Sequence, residues 1–199
     1  MPTYKAAVLP LLFALAACSE GFEVTRKAPE QVLLPDGTVV AGADGWCVDE
    51  TTLRSGGDTS VVVLGSCAAL ARNPKAPRPD VPGIVTVSVE TQPGASPTVD
   101  DLTAFFGTET GRTVLAEDGQ ADSVEVLEVR VEEDVLYIRS RDSSAATGAN
   151  SQNWRAVFML AGRFVSVSLF GRADRPIPTE DGFAAITAQT RELRLANLG

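Results

Sequence analysis

The chain has 199 residues, of which 44% are hydrophobic, and its 17 basic and 26 acidic side chains give a formal net charge of −9. This length suffices for one domain with its own core, and the negative charge makes nucleic acid and anionic lipid surfaces poor partners. The sequence contains no His, which excludes Ser-His-Asp and Cys-His catalytic arrangements and His-based zinc sites.

The first 17 residues have the pattern of a secretory signal. Lys5 precedes an uncharged apolar run from Ala6 to Ala17, and polar residues begin abruptly at Ser19. A bilayer-spanning helix needs about 20 apolar residues, so this run is too short to span. We therefore predict that residues 1–17 form a cleaved signal peptide.

The segment Leu15-Ala16-Ala17-Cys18 resembles the lipobox of bacterial lipoproteins. The resemblance implies cleavage before Cys18, which would then carry a diacylglycerol on its sulfur and an acyl chain such as palmitate on its amine. Several acyl chains anchor firmly, because each buried CH2 contributes about 0.8 kcal/mol. The implied location is a membrane facing the periplasm, and Ser19 favours the outer membrane over the inner one. An ordinary secretory signal that happens to contain a Cys is the alternative.

The other two cysteines, Cys47 and Cys67, form an even pair in a chain expected in an oxidising compartment, which predicts a disulfide between them. Such a bond would stabilise the fold by roughly 3 kcal/mol on the chain-entropy model. Two alternatives are less favoured: cysteines of a redox site are more often spaced as Cys-x-x-Cys, and a metal site needs ligands in addition to two cysteines. No metal or cofactor site is predicted.

In chain order, residues 18–38 have no clear hydrophobic period and are predicted to be a flexible tether, followed by a single domain over residues 39–199. The β-branched run Ser60–Leu64 predicts a buried strand, and four prolines in residues 73–83 predict an exposed connection. Thr98 and the acidic residue three positions later resemble a capping box for a helix that ends at Phe106.

The second half of the chain predicts two hairpins and a final helix. The first hairpin pairs Val124–Val131 with Val135–Arg141, and the second pairs Trp154–Leu160 with Arg163–Phe170. Residues 142–153 between them have the composition of a mobile loop. A helix from Glu180 to about Asn197 is predicted to follow, with Thr179 as its N-cap.

This order of elements favours the α+β class: an antiparallel sheet of about six to seven strands covered by two main helices. Over residues 45–197 the order resembles that of the Mog1/PsbP/DcrB-like fold, which includes bacterial lipoproteins. The resemblance implies a binding or assembly-assisting role rather than catalysis.

Two arginines are candidates for a binding surface. Arg139 and Arg141 are alternate residues of one predicted strand, so they project from the same face. Their planar guanidinium groups suit an anionic ligand or the carboxylates of a partner. The alternative is cross-strand pairing with Glu125, Glu128 and Glu132.

Trp46 and Trp154 are either core aromatics or part of a binding surface. The acidic residues Glu132, Glu133 and Asp134 are candidates for binding a hard cation, but a hairpin turn at this point also needs polar residues. The solvated turn is the simpler interpretation.

We predict that the protein is not an enzyme, because common hydrolase, dinucleotide and P-loop signatures are missing from the sequence. The first functional hypothesis is a membrane-anchored envelope lipoprotein whose domain binds envelope proteins or assists assembly. The alternative is a module that binds a small apolar ligand or lipid between sheet and helices, with residues 143–152 as a lid. An apolar cavity would favour the second, and a filled core with an exposed apolar patch the first.

Overall fold

A computed structural model of the protein describes residues 27–198. The predicted signal peptide, the lipobox and Cys18 lie outside these residues. Among the described helices, none combines the length and the apolar character needed to cross a bilayer.

The described residues form nine strands and four α-helices. The strands are β1 (Gln31–Leu33), β2 (Val39–Ala41), β3 (Trp46–Val48), β4 (Thr59–Ser66), β5 (Gly83–Glu90), β6 (Val124–Glu132), β7 (Val135–Asp142), β8 (Ala149–Leu160) and β9 (Arg163–Arg172). The helices are α1 (Cys67–Leu70), α2 (Val99–Phe106), α3 (Glu109–Leu115) and α4 (Thr179–Leu195).

Seven strands form one antiparallel sheet in the order β3-β4-β5-β9-β8-β7-β6, and β1 and β2 form a separate two-stranded sheet. The predicted α+β class and the predicted number of strands are therefore confirmed. Both predicted hairpins are present, as β6-β7 and β8-β9.

Local sequence explains several element boundaries. Ala161 and Gly162 both have positive φ, at 49° and 76°, as a tight two-residue hairpin turn requires. Thr98 and Asp101 form the predicted capping box at the start of α2. The prediction for α4 was wrong in one detail: Thr179 is the first helical residue, and Pro178 stands at the N-cap without a side-chain hydrogen bond.

One face of the large sheet, here called the α4 face, carries the main apolar cluster. Because side chains alternate along a strand, each central strand contributes every second residue to this face. Ile186 and Leu193 of α4 pack into the cluster, and both are fully buried. The strand residues in it include Val62, Leu64, Val85, Val87, Tyr137, Trp154, Ala156, Phe158, Val165 and Val167.

The opposite face, here called the second face, carries a smaller apolar cluster at one end. Leu136 and Ile138 of β7 and Val157 of β8 pack there with side chains from two helices. Those helical residues are Leu102 and Phe106 of α2 and Leu115 of α3. The sequence predicted two main helices, whereas three helices contribute to the two clusters.

The flexible tether predicted for residues 18–38 is wrong for residues 28–38. Strand β1 pairs with β2, and Leu34 is buried in the main cluster. Backbone hydrogen bonds from Gly42 and Val48 to Glu30 and Pro29 join this segment to the domain. The folded domain therefore begins about ten residues earlier than the sequence pattern indicated.

The predicted disulfide between Cys47 and Cys67 is present, with 4.8 Å between the two Cα atoms. Cys47 lies in β3 and Cys67 is the first residue of α1. The bond therefore ties an edge strand of the large sheet to the helix that follows its neighbour β4.

Candidate functional site

The second face holds a cavity of about 600 Å³, here called the sheet-face cavity, beside the smaller apolar cluster. Its walls come from strands β5, β7, β8 and β9, the segment just after α3, and the loop between β7 and β8. A volume of this size is typical of pockets for small molecules. The lining side chains that the argument below uses are Thr86, Leu115, Glu117, Asp142, Arg155 and Phe170.

The strand register places Arg155 in the floor of this cavity. Arg155 of β8 lies between Ile138 of β7 and Ser168 of β9, and Ser168 in turn lies opposite Thr86 of β5. The four residues form one row across the sheet on the second face. The row is therefore apolar at Ile138 and polar from Arg155 to Thr86.

Arg155 has few partners for a largely enclosed guanidinium group. Its Nη1 donates a hydrogen bond to the carbonyl oxygen of Val114 at 3.1 Å. Its Nε is buried, and no described residue accepts a hydrogen bond from it. Burial lowers the pKa of Arg155, although the more distant carboxylate of Asp142 acts in the opposite direction.

Two carboxylates build one wall of the cavity. Asp142 accepts hydrogen bonds from the backbone N–H groups of Glu117, at 2.7 Å, and Ser144, at 2.8 Å. Glu117 in turn accepts one from the N–H of Ala146 at 2.9 Å. These bonds hold the segment after α3 against the loop between β7 and β8.

That loop is shorter than predicted, because residues 149–153 already belong to β8. Its remaining residues, 143–148, follow the Asp142 carboxylate and include the cavity-lining residues Ala145, Ala146 and Gly148. The predicted lid segment therefore does lie at the cavity, as part of its wall.

The candidate surface residues Arg139 and Arg141 lie elsewhere. Both project from β7 on the α4 face, so they do not line the sheet-face cavity. Arg139 pairs with Glu128 at 3.2 Å and Arg141 with Glu125 at 2.6 Å, each directly across the strand pair. The interpretation as cross-strand pairing is confirmed for both.

The two tryptophans are core residues. Trp46 and Trp154 are both buried in the main cluster, so neither forms an exposed binding surface. The indole N–H of Trp154 donates to the carbonyl oxygen of Thr179 at 3.2 Å, which satisfies its polar atom.

The acidic turn between β6 and β7 is an ion-pairing site within the fold. Arg194 of α4 contacts Glu133 at 3.3 Å and Asp134 at 2.7 Å. Across residues 27–198, no three His, Cys, Asp or Glu side chains come together in a way that would hold a metal ion.

The comparisons with known proteins give no assignment. No protein-family model matches the sequence, and no curated protein shows significant similarity to it.

The sequence patterns singled out Arg139 and Arg141 and did not identify Arg155, whose environment is different. One signal was available: Arg155 is the only charged residue in the run Trp154–Leu160, which is otherwise apolar. A strand with apolar residues on both faces is buried on both, so a charge within it needs a specific reason.

Proposed function

We propose that the domain binds a small, largely apolar molecule in the sheet-face cavity and is not an enzyme. The cavity of about 600 Å³ carries this proposal. Its lining includes Leu115, Ala145, Ala149 and Phe170, and ligand pockets are mostly apolar with a few placed polar groups.

We also propose that acyl chains on Cys18 anchor the protein to a membrane, with its domain facing the periplasm. The outer membrane is favoured over the inner one. The lipobox resemblance supports this anchor. Labelling with radioactive palmitate should mark the wild-type chain and leave Cys18→Ser unlabelled. Equal labelling of both would refute the anchor.

Filling the cavity tests the binding proposal. Thr86 projects into the cavity from β5, since its neighbours Val85 and Val87 are buried on the α4 face. Thr86→Phe should therefore weaken binding of the uncharged fluorescent probe N-phenyl-1-naphthylamine to the purified full chain by tenfold or more, roughly the effect of losing 1.4 kcal/mol.

Ser88→Phe is the matched control. Ser88 lies two residues further along β5 on the same face, and it does not line the cavity. The Ser88→Phe protein should bind the probe with the same affinity as the wild type. Probe binding that is the same in all three proteins would mean that the cavity is not the site.

A protein-binding or assembly-accessory role is the second candidate, and one feature favours it. Val129 and Val131 are 45% and 48% exposed on β6, which is an edge strand of the large sheet. Exposed apolar edge strands are potential pairing sites for another chain. In-cell crosslinking from position 131 that captured no envelope protein would argue against this role.

A further inference from the structure

Arg155 differs from most other arginines of the sheet and of α4 in having no carboxylate partner. None of the ion pairs among residues 27–198 includes Arg155. Arginines that do pair with a carboxylate are Arg130, Arg139, Arg141, Arg163, Arg172 and Arg194. A largely enclosed cation without a counter-charge destabilises the fold. This cost indicates that the charge of Arg155 serves a contact outside the fold, such as one with a ligand.

One terminal amino group of Arg155 has no partner within the described residues. Its Nη1 donates to Val114 and its Nε is buried, whereas no described residue accepts a hydrogen bond from Nη2. A hydrogen bond from a guanidinium N–H to a carboxylate is charge-assisted and stronger than one between neutral groups. Nη2 is therefore the donor that a carboxylate in the cavity would use.

The remaining charges of the cavity favour a single negative charge on the ligand. Glu117 and Asp142 line the same cavity, and their oxygens accept the backbone hydrogen bonds described above. Arg172 lines it too, but its charge is paired with Asp174 at 2.8 Å. A ligand with two negative charges would be repelled by these carboxylates, whereas one charge is matched by Arg155. The apolar part of the lining suits a hydrocarbon chain.

We infer that the sheet-face cavity takes a molecule with one carboxylate on a short apolar chain, and that the guanidinium of Arg155 binds the carboxylate. This inference rests on the proposed binding function and names the chemical class of its ligand. The burial that lowers the pKa of Arg155 would strengthen its hydrogen bonds to an anion.

Competition between probes of equal chain length tests the inference. Decanoate, decanol and decyl phosphate would each displace N-phenyl-1-naphthylamine from the full chain. We expect decanoate to bind more tightly than the other two. In Arg155→Met, decanoate should bind roughly tenfold or more weakly because charge-assisted hydrogen bonds are lost, while decanol is unchanged.

The matched control is Arg175→Met, which removes the same charge from an exposed position outside the cavity lining. It should leave decanoate binding as in the wild type. Arg155→Met should also unfold at the same or a higher temperature than the wild type, since it removes an enclosed charge without a counter-charge. If it fails to fold, Arg155→Gln supplies the test, because it removes the charge and keeps a polar side chain; unchanged decanoate affinity there would overturn the inference.

The failures of the two proposals are distinguishable. Equal loss of decanoate and decanol binding in Arg155→Met would overturn the role of Arg155 and leave binding in the cavity intact. Tighter binding of decyl phosphate than of decanoate would overturn the carboxylate class. If none of the three compounds displaced the probe from the wild-type chain, the proposed binding function itself would be wrong.

Discussion

Gln189 is a fully buried polar residue that joins α4 to the end of β2. Its amide nitrogen donates to the carbonyl oxygen of Ala41 at 2.7 Å, and its amide oxygen accepts from the N–H of Ala43 at 2.9 Å. Both backbone groups would otherwise lack a partner at the end of β2. One side chain thus satisfies a donor and an acceptor of a distant segment.

Gln189→Met should lower the free energy of unfolding by about 2–4 kcal/mol. The side chain keeps a similar size, but a buried donor and a buried acceptor lose their partners, at about 1–3 kcal/mol each. Urea unfolding followed by tryptophan fluorescence measures the change.

Ser60→Ala is the matched control, since it also removes a buried polar group. The hydroxyl of Ser60 is buried, and no described residue is its hydrogen-bond partner. Its loss should be neutral or slightly stabilising. A cost for Ser60→Ala equal to that for Gln189→Met would show that hydrogen bonding is not the cause.

Single residues were predictable where their partners are close on neighbouring strands. Pairing of Arg139 and Arg141 with glutamates of β6 follows from the hairpin register, which the short turn fixes. The hydrogen-bond partner of Arg155 was not predictable, because Val114 lies 41 residues away in the chain. Such contacts depend on how helices and loops return to the sheet.

Helices α2 and α3 meet at a junction that requires glycine. A Cβ added to Gly111 would lie 2.1 Å from the carbonyl oxygen of Phe105 and 2.6 Å from the Cα of Phe106. The backbones of the two helices therefore approach too closely for any side chain at this position. The junction also sets the position of Leu115, at the end of α3, which lines the sheet-face cavity.

Gly111→Ala should destabilise the protein by about 2 kcal/mol despite the better helix propensity of Ala. Propensity contributes about 1 kcal/mol in favour of Ala, while a clash with backbone atoms costs about 1–3 kcal/mol or more. We also expect weaker binding of N-phenyl-1-naphthylamine, because α3 would shift against the cavity. Urea unfolding and probe titration measure the two effects.

Gly107→Ala, in the same helix pair, is the control for Gly111→Ala. Gly107 has a φ of −73°, which any residue adopts, and its nearest added-Cβ contact is 3.3 Å. Gly107→Ala should change the free energy of unfolding by no more than about 1 kcal/mol. A larger loss from Gly107→Ala than from Gly111→Ala would contradict the importance of the close approach at Gly111.

Elements with strong local signals were predictable, and short elements held by distant contacts were not. The capping box of α2 and the turn between β8 and β9 follow from a few adjacent residues. Strands β1 and β2 have three residues each, and β2 is held by Gln189 of α4 and by Asn197, which follows α4. No local pattern distinguishes such a segment from a tether.

Among the side chains of residues 27–198, reference pKa values leave a wide gap between the carboxylates and the strongly basic groups. The sequence has no His, and Cys47 and Cys67 are joined in a disulfide. The other ionisable side chains of the described residues have reference pKa values of about 4.5 and below, or about 10 and above. Stability should therefore depend on pH only toward the two ends of the scale.

A few titrating side chains determine how stability changes at acidic and at alkaline pH. A hydrogen bond from Arg130 lowers the pKa of Glu128 and also that of Glu180 in α4. The ionised carboxylates of Glu128 and Glu180 stabilise the fold fully at pH values above 4.5, their pKa in the unfolded chain. This stabilisation is lost as the pH falls through their lower pKa in the folded protein. Burial raises the pKa of Tyr137 above 10.0, so its contribution is lost as pH rises through the folded value.

We expect the free energy of unfolding to be constant between about pH 6 and 9 and to fall on either side. Urea unfolding at constant ionic strength measures it, with the buried Trp46 and Trp154 as fluorescent reporters. Glu128→Gln should reduce only the acid-side slope, because the neutral amide no longer titrates, and Tyr137→Phe only the alkaline one. A step between pH 6 and 8 would contradict this account, since the pKa values of Glu128 and Glu180 are lowered from 4.5 and that of Tyr137 is raised from 10.0. The acid-side change should also shrink at high salt, because Glu180 is exposed and Glu128 is only half-buried, so salt screens their pairing with Arg130.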